Sequence, residues 1–342
     1  NLNYYLCLMI FITGGTGLVG SHVLLKLSQQ SRAFKALRRE SSSLDICKRI
    51  FSYYNADELF VKINWIEGDI NDIASLESGM QDCDLLLHCA GVVSFSKSQT
   101  EVLRKVNIEG TANVMNVALS SGIKKAGFVS SIAALGRNST VGLVDEQSYF
   151  KTTKIESNYA ISKYLSEQEV WRASAEGLDV VIINPSIILG PGDWSKGSSQ
   201  IFQKIYKGLR FYTNGSTGYV DVIDVAEALI QLLFSDIKNE RFIVNGINLK
   251  YRDCFDKIAE AFGKKKATIE VGYLLKEIAW RVEAVKSLVT GKTPLITKET
   301  SNSAMTQSSY STNKIEEKLD FQFTDIDKTI KKYTTWFISD QV

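Results

Sequence analysis

Tyr159 and Lys163, in the stretch Tyr159-Ala160-Ile161-Ser162-Lys163, put a phenol and an ammonium one helical turn apart on the same face. A nearby ammonium stabilises a phenolate, which lowers the tyrosine toward neutrality and makes it a usable acid and base. The spacing alone carries little weight, because the chain has 14 tyrosines and Tyr310 to Lys314 repeats it. Order along the chain separates the two. Tyr159 falls between the fifth and sixth strands of an alternating pattern, facing the carboxyl ends of strands where ligands bind, whereas Tyr310 lies in the tail and reads as structural. Upstream, Val129-Ser130-Ser131 ends a strand candidate. A hydroxyl there could hydrogen-bond a carbonyl oxygen whose charge grows during hydride transfer. The plainer reading of a Ser-Ser pair is a strand-end cap.

A second group handles phosphate. Gly14, Gly17 and Gly20 are spaced by threes, with Thr16, Leu18 and Val19 among them, after an apolar run and before an amphipathic stretch. Glycine is needed where backbone approaches a pyrophosphate and where helix packs on strand, and the helix start offers free N–H groups to the anion. At the end of the second strand a carboxylate would bond an adenosine ribose, while arginine accommodates a phosphate on it. Here Arg38 and Arg39 stand there, followed by Glu40 and the hydroxyls of Ser41, Ser42 and Ser43. The pair favours NADP(H) over NAD(H). The bland alternative is two solvated charges, and Glu40 could still reach a ribose.

The elements that must hold these residues follow from apolar periodicity. Strands are expected at 7–13, 34–37, 62–66, 84–89, 126–130, 180–184 and 241–246, and helices from the glycine turn to about 30, to about 55, and at 100–121 and 159–176. Strands alternating with helices imply an α/β fold, a doubly wound parallel sheet of Rossmann type. After Pro185 the pattern changes to Gly, Ser and aromatic residues, with helices expected at 252–262, 272–290 and 326–338. We therefore expect a dinucleotide-binding domain from 9–185 plus about 219–247, and a smaller C-terminal substrate-binding cap from 186–218 plus 248–342. Residues 1–8 precede Met9, where the first strand should begin, and are expected to be a dispensable extension. The 272–290 stretch, with Leu274, Leu275, Ile278, Ala279, Val282 and Val285 on one side, could cover a pocket or meet a partner. Its mixed charges, Lys276, Glu277, Arg281, Glu283 and Lys286, argue against a membrane surface.

Composition removes other classes. The 342 residues carry 40 Lys+Arg against 38 Asp+Glu, so nucleic acid is a poor partner. The apolar stretch 4–12 is shorter than the ~20 residues of a membrane span, and no charged region with a cleavage site precedes it. Five cysteines without a CxxC pair point to reduced thiols in the cytoplasm. His22 and His88 are the two histidines, and no GxSxG elbow occurs, which removes most zinc sites and weakens a Ser-His-Asp triad. No metal is expected.

Taken in order, the glycine turn, Gly68-Asp69, His88-Cys89-Ala90-Gly91, Asn107, Ser131, Tyr159/Lys163 and Asn184-Pro185-Ser186 resemble the extended short-chain dehydrogenase/reductases, also called the NAD-dependent epimerase/dehydratase family. Gly190-Pro191-Gly192-Asp193, Tyr219-Val220-Asp221-Val222 and Asn313-Lys314 carry the likeness to about Phe323, nearly the whole chain. The resemblance implies Tyr159 as general acid/base, Lys163 on the nicotinamide ribose, and Ser131 orienting the substrate oxygen. It also implies Asp69, Ile70, Ala90, Gly91 and Val92 at the adenine and ribose sites, Asn107 near the cofactor, Pro185 and Ser186 at the nicotinamide end, and His88 as structural. Helices 100–121 and 159–176 would pair in a homodimer.

The departures narrow the branch. Similar sugar-nucleotide dehydratases place Asp-Glu after the catalytic hydroxyl, where this chain has Ile132 and Ala133, which cannot move protons. Similar epimerases of UDP-sugars carry Asp at the end of the second strand and Tyr before the glycine corresponding to Gly136, where this chain has Arg38 and Leu135. The arginines look like the dihydroflavonol reductase-like branch. The reading is thus NADPH-dependent reduction of a ketone or aldehyde, with Ser94, Phe95, Trp194, Phe211 and Tyr212 as candidate walls for a small apolar or aromatic substrate. The alternatives are a nucleotide-sugar epimerase that retains NAD, and a cofactor-binding regulator that uses the fold as a sensor.

Overall fold

A computed structural model describes residues 8–136, 143–150, 156–272, 277, 280, 281, 301 and 304–341. Of the expected 272–290 helix, all but 272, 277, 280 and 281 lies outside the described residues, as do residues 1–7 of the expected extension.

The organising element is a seven-stranded, all-parallel sheet. Its strands are β1 (Ile10–Thr13), β2 (Phe34–Arg38), β3 (Asn64–Glu67), β4 (Leu85–His88), β5 (Lys125–Val129), β6 (Asp179–Pro185) and β9 (Glu240–Val244), in the order β9-β6-β5-β4-β1-β2-β3. Alternate side chains go to opposite faces, as strand geometry requires. Ile10, Ile12, Leu85, Leu87, Val181 and Ile183 enter one core. Phe11, Leu86, Ala126, Phe128, Val180 and Ile182 enter the other. Both faces are covered by helices, so the central strands read as unbroken apolar runs. Helices α1 (Leu18–Gln29), α2 (Asp45–Tyr53) and α8 (Val222–Phe234) feed the first core through Leu24, Leu25, Phe51 and Leu229. Helices α3 (Ile73–Met80), α5 (Gly110–Ser120) and α6 (Asn158–Ala175) feed the second through Leu76, Met80, Met115 and Val170.

Local chemistry sets several helix starts. Asp72, Ser157, Asp221 and Asp325 each accept a hydrogen bond from a first-turn N–H of the helix that follows. The expected 100–121 helix is not uniform. A short α4 (Thr100–Leu103) passes through a π-helical turn, Arg104–Glu109, before α5.

A second layer begins after Pro185. Strands β7 (Ile187–Leu189), β8 (Ser216–Asp221) and β10 (Ile247–Lys250) form a small sheet in which β8 runs parallel to β7 and antiparallel to β10. Against it pack α7 (Gln200–Tyr206), α9 (Tyr251–Ala261) and α10 (Ile326–Ser339), around a core that includes Trp194, Phe202, Tyr219, Ile258, Tyr333 and Phe337. The last helix is laced to much earlier chain. Thr329 and Tyr333 donate to the Asp221 carboxylate at 2.7 and 2.5 Å. Asp340 accepts from the Trp194 indole at 2.6 Å and from the Tyr53 hydroxyl, whose ring stacks on Trp336.

Candidate active site

The strand order reverses between β1 and β4, and the crevice beyond their carboxyl ends is where such sheets bind ligands. The glycine turn lies there. Gly14 has φ +73°, and a Cβ on it would come within 2.5 Å of the Ala90 nitrogen. A Cβ on Gly20 would collide with the Gly14 carbonyl oxygen. Gly17 is different: it is exposed, its nearest obstacle is the Gly14 carbonyl at 3.4 Å, and no side chain caps the helix it begins. Two glycines thus close the turn and the third leaves an open helix start, a shape that fits a dinucleotide pyrophosphate.

Of the expected cofactor residues, Ala90 meets this turn, while Arg39 and Asp69 share a cavity at the ends of β2 and β3. Asp69, beside Gly68, lines a cavity with Arg39, Glu40, Ser41, Glu67 and Asp72. Ser42 donates its N–H to the Arg39 carbonyl at 2.9 Å. Arg38 is half-buried and Arg39 exposed, and neither guanidinium has a hydrogen bond or ion pair among the described residues. Ile70 packs against Gly110. The buried Asn107 accepts from the Val92 N–H at 2.8 Å and donates to the Val92 carbonyl at 3.0 Å and to Ser162 at 2.9 Å. That clamp fixes the Ala90-Gly91-Val92 loop to α6, and Asn107 reaches it from within the π turn.

His88 is buried between Thr13 at 2.6 Å and Thr111 at 3.0 Å, its ring stacked on Phe128. Burial first, and the Lys163 charge second, lower its pKa to about 3, so it is a neutral structural link.

Tyr159 lies in the first turn of α6, and Ser131 is the hydroxyl that acts on its phenol. Ser131 caps a single 3-10 turn, Ile132–Ala134, accepting from the Ala133 N–H at 3.1 Å. The Phe95 ring stands edge-on to Tyr159 with centroids 5.4 Å apart. Lys163 is buried one turn along, donating to the Val129 carbonyl at 2.8 Å, with its ammonium 4.7 Å from the centre of the Phe128 ring. Burial pulls the Lys163 pKa down to about 8, with Glu167 and Cys89 acting the other way. The expected depression of Tyr159 is not found. Burial raises its pKa, the Ser131 hydrogen bond opposes this, and the Lys163 ammonium is taken up by the Val129 carbonyl.

Pro185 ends β6, and Ser186 donates its N–H to the Val244 carbonyl at 3.0 Å while its buried hydroxyl has no hydrogen-bond partner among the described residues. Ser94 is half-buried in the loop before Phe95. Among the described residues, the other expected walls make no ring contact with Tyr159. Trp194 is packed on Phe202 and Phe337 in the core of the second layer, and Tyr212 is buried under Arg252, while Phe211 is exposed. Sequence reading missed Glu167, whose buried carboxylate accepts from the hydroxyl of Ser130, the neighbour of Ser131. The signal was present, since Tyr159, Lys163 and Glu167 repeat every four residues on one helix face.

The profile of the NAD dependent epimerase/dehydratase family matches residues 10–244. The chain belongs to this family. Members are enzymes of the NAD(P)-dependent short-chain dehydrogenase/reductase type, and the oxidoreductase character comes with the family. A putative dihydroflavonol 4-reductase of Synechocystis sp. (strain ATCC 27184 / PCC 6803 / Kazusa) is 28% identical over 96% of this chain and 94% of its own length. A UDP-glucose 4-epimerase of Vibrio cholerae is 31% identical over 54% of this chain and 52% of its own. The crystal structure of gox2253 superposes with a TM-score of 0.81, at 27% identity, covering 97% of this chain and 98% of that one. Among the described residues no helix is long and apolar enough to cross a membrane.

Proposed function

We propose that this family member is an NADPH-dependent reductase of ketones or aldehydes. The observation that carries the reading is the buried Lys163 one helical turn along α6 from Tyr159, its ammonium held by the Val129 carbonyl at the end of the strand that runs into Ser131. The glycine turn, Asp69, Ile70 and the Ala90–Val92 loop hold the dinucleotide, with Pro185 and the Ser186 hydroxyl, unpartnered among the described residues, at its nicotinamide end. Arg38 and Arg39, free of protein partners among the described residues, receive the ribose phosphate that distinguishes NADPH.

When bound, the dinucleotide supplies the hydride. The protein's part is proton and charge. Ser131 donates a hydrogen bond to the substrate carbonyl oxygen and fixes it beside Tyr159. Tyr159 gives that oxygen its phenolic proton as the negative charge on it grows, and solvent restores the proton. Lys163 holds the ribose and, as an ammonium, supports the phenolate that forms. Phe95, edge-on to Tyr159, presents an aromatic wall to an apolar or aromatic substrate. Ile132 and Ala133, next to Ser131, carry no group for a second proton transfer, which disfavours a dehydratase. The homology with the dihydroflavonol 4-reductase over nearly both full lengths agrees with this branch. A homodimer through the 100–120 and 158–175 helices would cover Val102 and Leu165, both exposed at 39%.

The test is to purify the protein without added cofactor and identify any dinucleotide released on denaturation. Empty protein is then titrated with NADPH and NADH by nicotinamide fluorescence, and a panel of ketones and aldehydes follows. Empty sites with a clear preference for NADPH are expected. Tightly retained NAD, with no gain from the ribose phosphate, would transfer the assignment to a nucleotide-sugar epimerase, the reading favoured by the Vibrio cholerae relative.

A further inference from the structure

One helical turn beyond Lys163, Glu167 is 1% exposed and surrounded by donors. Its Oε2 accepts from the Ser130 hydroxyl at 2.6 Å and from the Asn184 amide at 2.9 Å. Its Oε1 accepts from the Arg241 guanidinium at 3.0 Å and the Trp171 indole at 3.3 Å. Four donors match the roughly four lone-pair sites of a carboxylate. A buried carboxylate is costly, and a helix surface offers cheaper residues if packing were all that was needed.

We propose that Glu167 is a positioning residue for the reacting group: its carboxylate fixes the strand ends that carry Ser131 and sets an opposite charge beneath the Lys163 ammonium. This rests on the Ser131-Tyr159-Lys163 reading above. The geometry brackets Ser131 from two sides. Ser130, its chain neighbour, is held directly by Glu167. Asn184, on the adjacent strand, is held by the same oxygen while its amide also donates to the Ser131 carbonyl at 3.0 Å. One carboxylate therefore ties the end of β5 to the end of β6 and both to α6, and Ser131 has no independent freedom to drift from Tyr159.

The charges around the pair are few. Facing Lys163 are Tyr159 and Glu167 from its own helix, and His88 and Cys89 from the end of β4. Burial keeps both of the latter neutral, the Cys89 thiol being pushed up to about 12. Facing Glu167 are Lys163 and, from β9, Arg241. The Arg241 guanidinium also donates to the Glu146 carbonyl, and the Glu146 carboxylate accepts the Ile243 N–H. Glu167 thus acts on Lys163 against the burial that strips its proton.

The test uses the full chain labelled with ε-13C lysine, in which the Lys163 resonance is the one missing from Lys163→Arg. In Glu167→Gln the Lys163 titration should move down by about one pH unit. Hydrogen exchange of the peptide spanning 128–134 should rise by about tenfold as Ser130 and Asn184 lose their shared acceptor. Should the Gln variant not fold, Glu167→Asp keeps the charge but withdraws it by one methylene, and about half that downward movement is expected. A Lys163 titration unchanged in either folded variant overturns the proposal. Failure of the underlying reading looks different: Tyr159→Phe would keep its carbonyl-reducing activity while Lys163 still responded to Glu167.

Discussion

Lys163 carries its charge in surroundings that disfavour charge, and keeps its proton only below about pH 8. Above that pH the ammonium that supports the Tyr159 phenolate is lost, so kcat/KM for carbonyl reduction should fall as pH rises through 8. A steady-state pH profile checks this, and a limb near the ordinary lysine value would contradict it. Tyr159→Phe removes the transferred proton and should lower kcat by about a hundredfold or more, with NADPH affinity unchanged in a fluorescence titration. Replacing Arg38 and Arg39 together by alanine should weaken NADPH binding by about tenfold or more and leave NADH binding as it was, since charge-assisted bonds to phosphate are worth roughly 1.5–3 kcal/mol. Equal loss for both cofactors would mean the pair supports the loop rather than reading the phosphate. At this scale the sequence was informative where a residue's type is itself the chemistry, as for Tyr159, Lys163 and the glycines. For Glu167 it offered only the four-residue spacing from Lys163, a weak signal because a glutamate in a helix ordinarily faces water and its four partners come from separate parts of the chain.

The glycine turn and the π turn do their work through backbone rather than side chains. Gly14→Ala would force a left-handed φ on a residue with a Cβ and drive that Cβ onto the Ala90 nitrogen. The expected result is a loss of about 2 kcal/mol or more of stability, with cofactor binding abolished. A urea melt and an NADPH titration on one preparation read both. The π turn places Asn107 under the Val92 loop, a shift of register that no periodicity in 100–121 announces. Elements were legible in proportion to their burial. Leu85-Leu86-Leu87 and Val180-Val181-Ile182-Ile183 can only be strands covered on both faces. Helix α8 was hidden for the opposite reason. Its residues Val222, Val225, Ala226, Ala228, Leu229, Ile230, Leu232 and Leu233 are buried nearly all round, and the narrow polar stripe of Asp224, Glu227 and Gln231 is easily lost in an apolar run. The strands of the smaller sheet run three to six residues, too short for alternation to declare itself.

Across the whole molecule, two buried histidines set the response to acid. Burial lowers His22 to about 4 and His88 to about 3, against 6.5 when unfolded. The unfolded chain therefore binds more protons between those values, and their contribution, complete above pH 6.5, is lost as pH falls toward 4 and below. Asp224, raised by burial to about 6 from 3.8, works the other way, its contribution growing as pH falls below 6. At about pH 5 each histidine costs about 2 kcal/mol and Asp224 returns part of it, for a net loss of about 3 kcal/mol relative to neutral pH. Urea midpoints at the two pH values measure this, and a flat profile would mean the histidines reach water. The lacing of the last helix has a different consequence, one of timing. Asp221, Trp194 and Tyr53 wait for partners between residues 329 and 340. At roughly 5–20 residues per second, translation leaves about 6 to 24 s between the emergence of Asp221 and that of Asp340. Within that interval the nascent chain can complete its parallel sheet once β9 has emerged, but it must carry Trp194, Phe202 and Tyr219 incompletely covered, and the ribosome-bound protein is then a natural client for a chaperone.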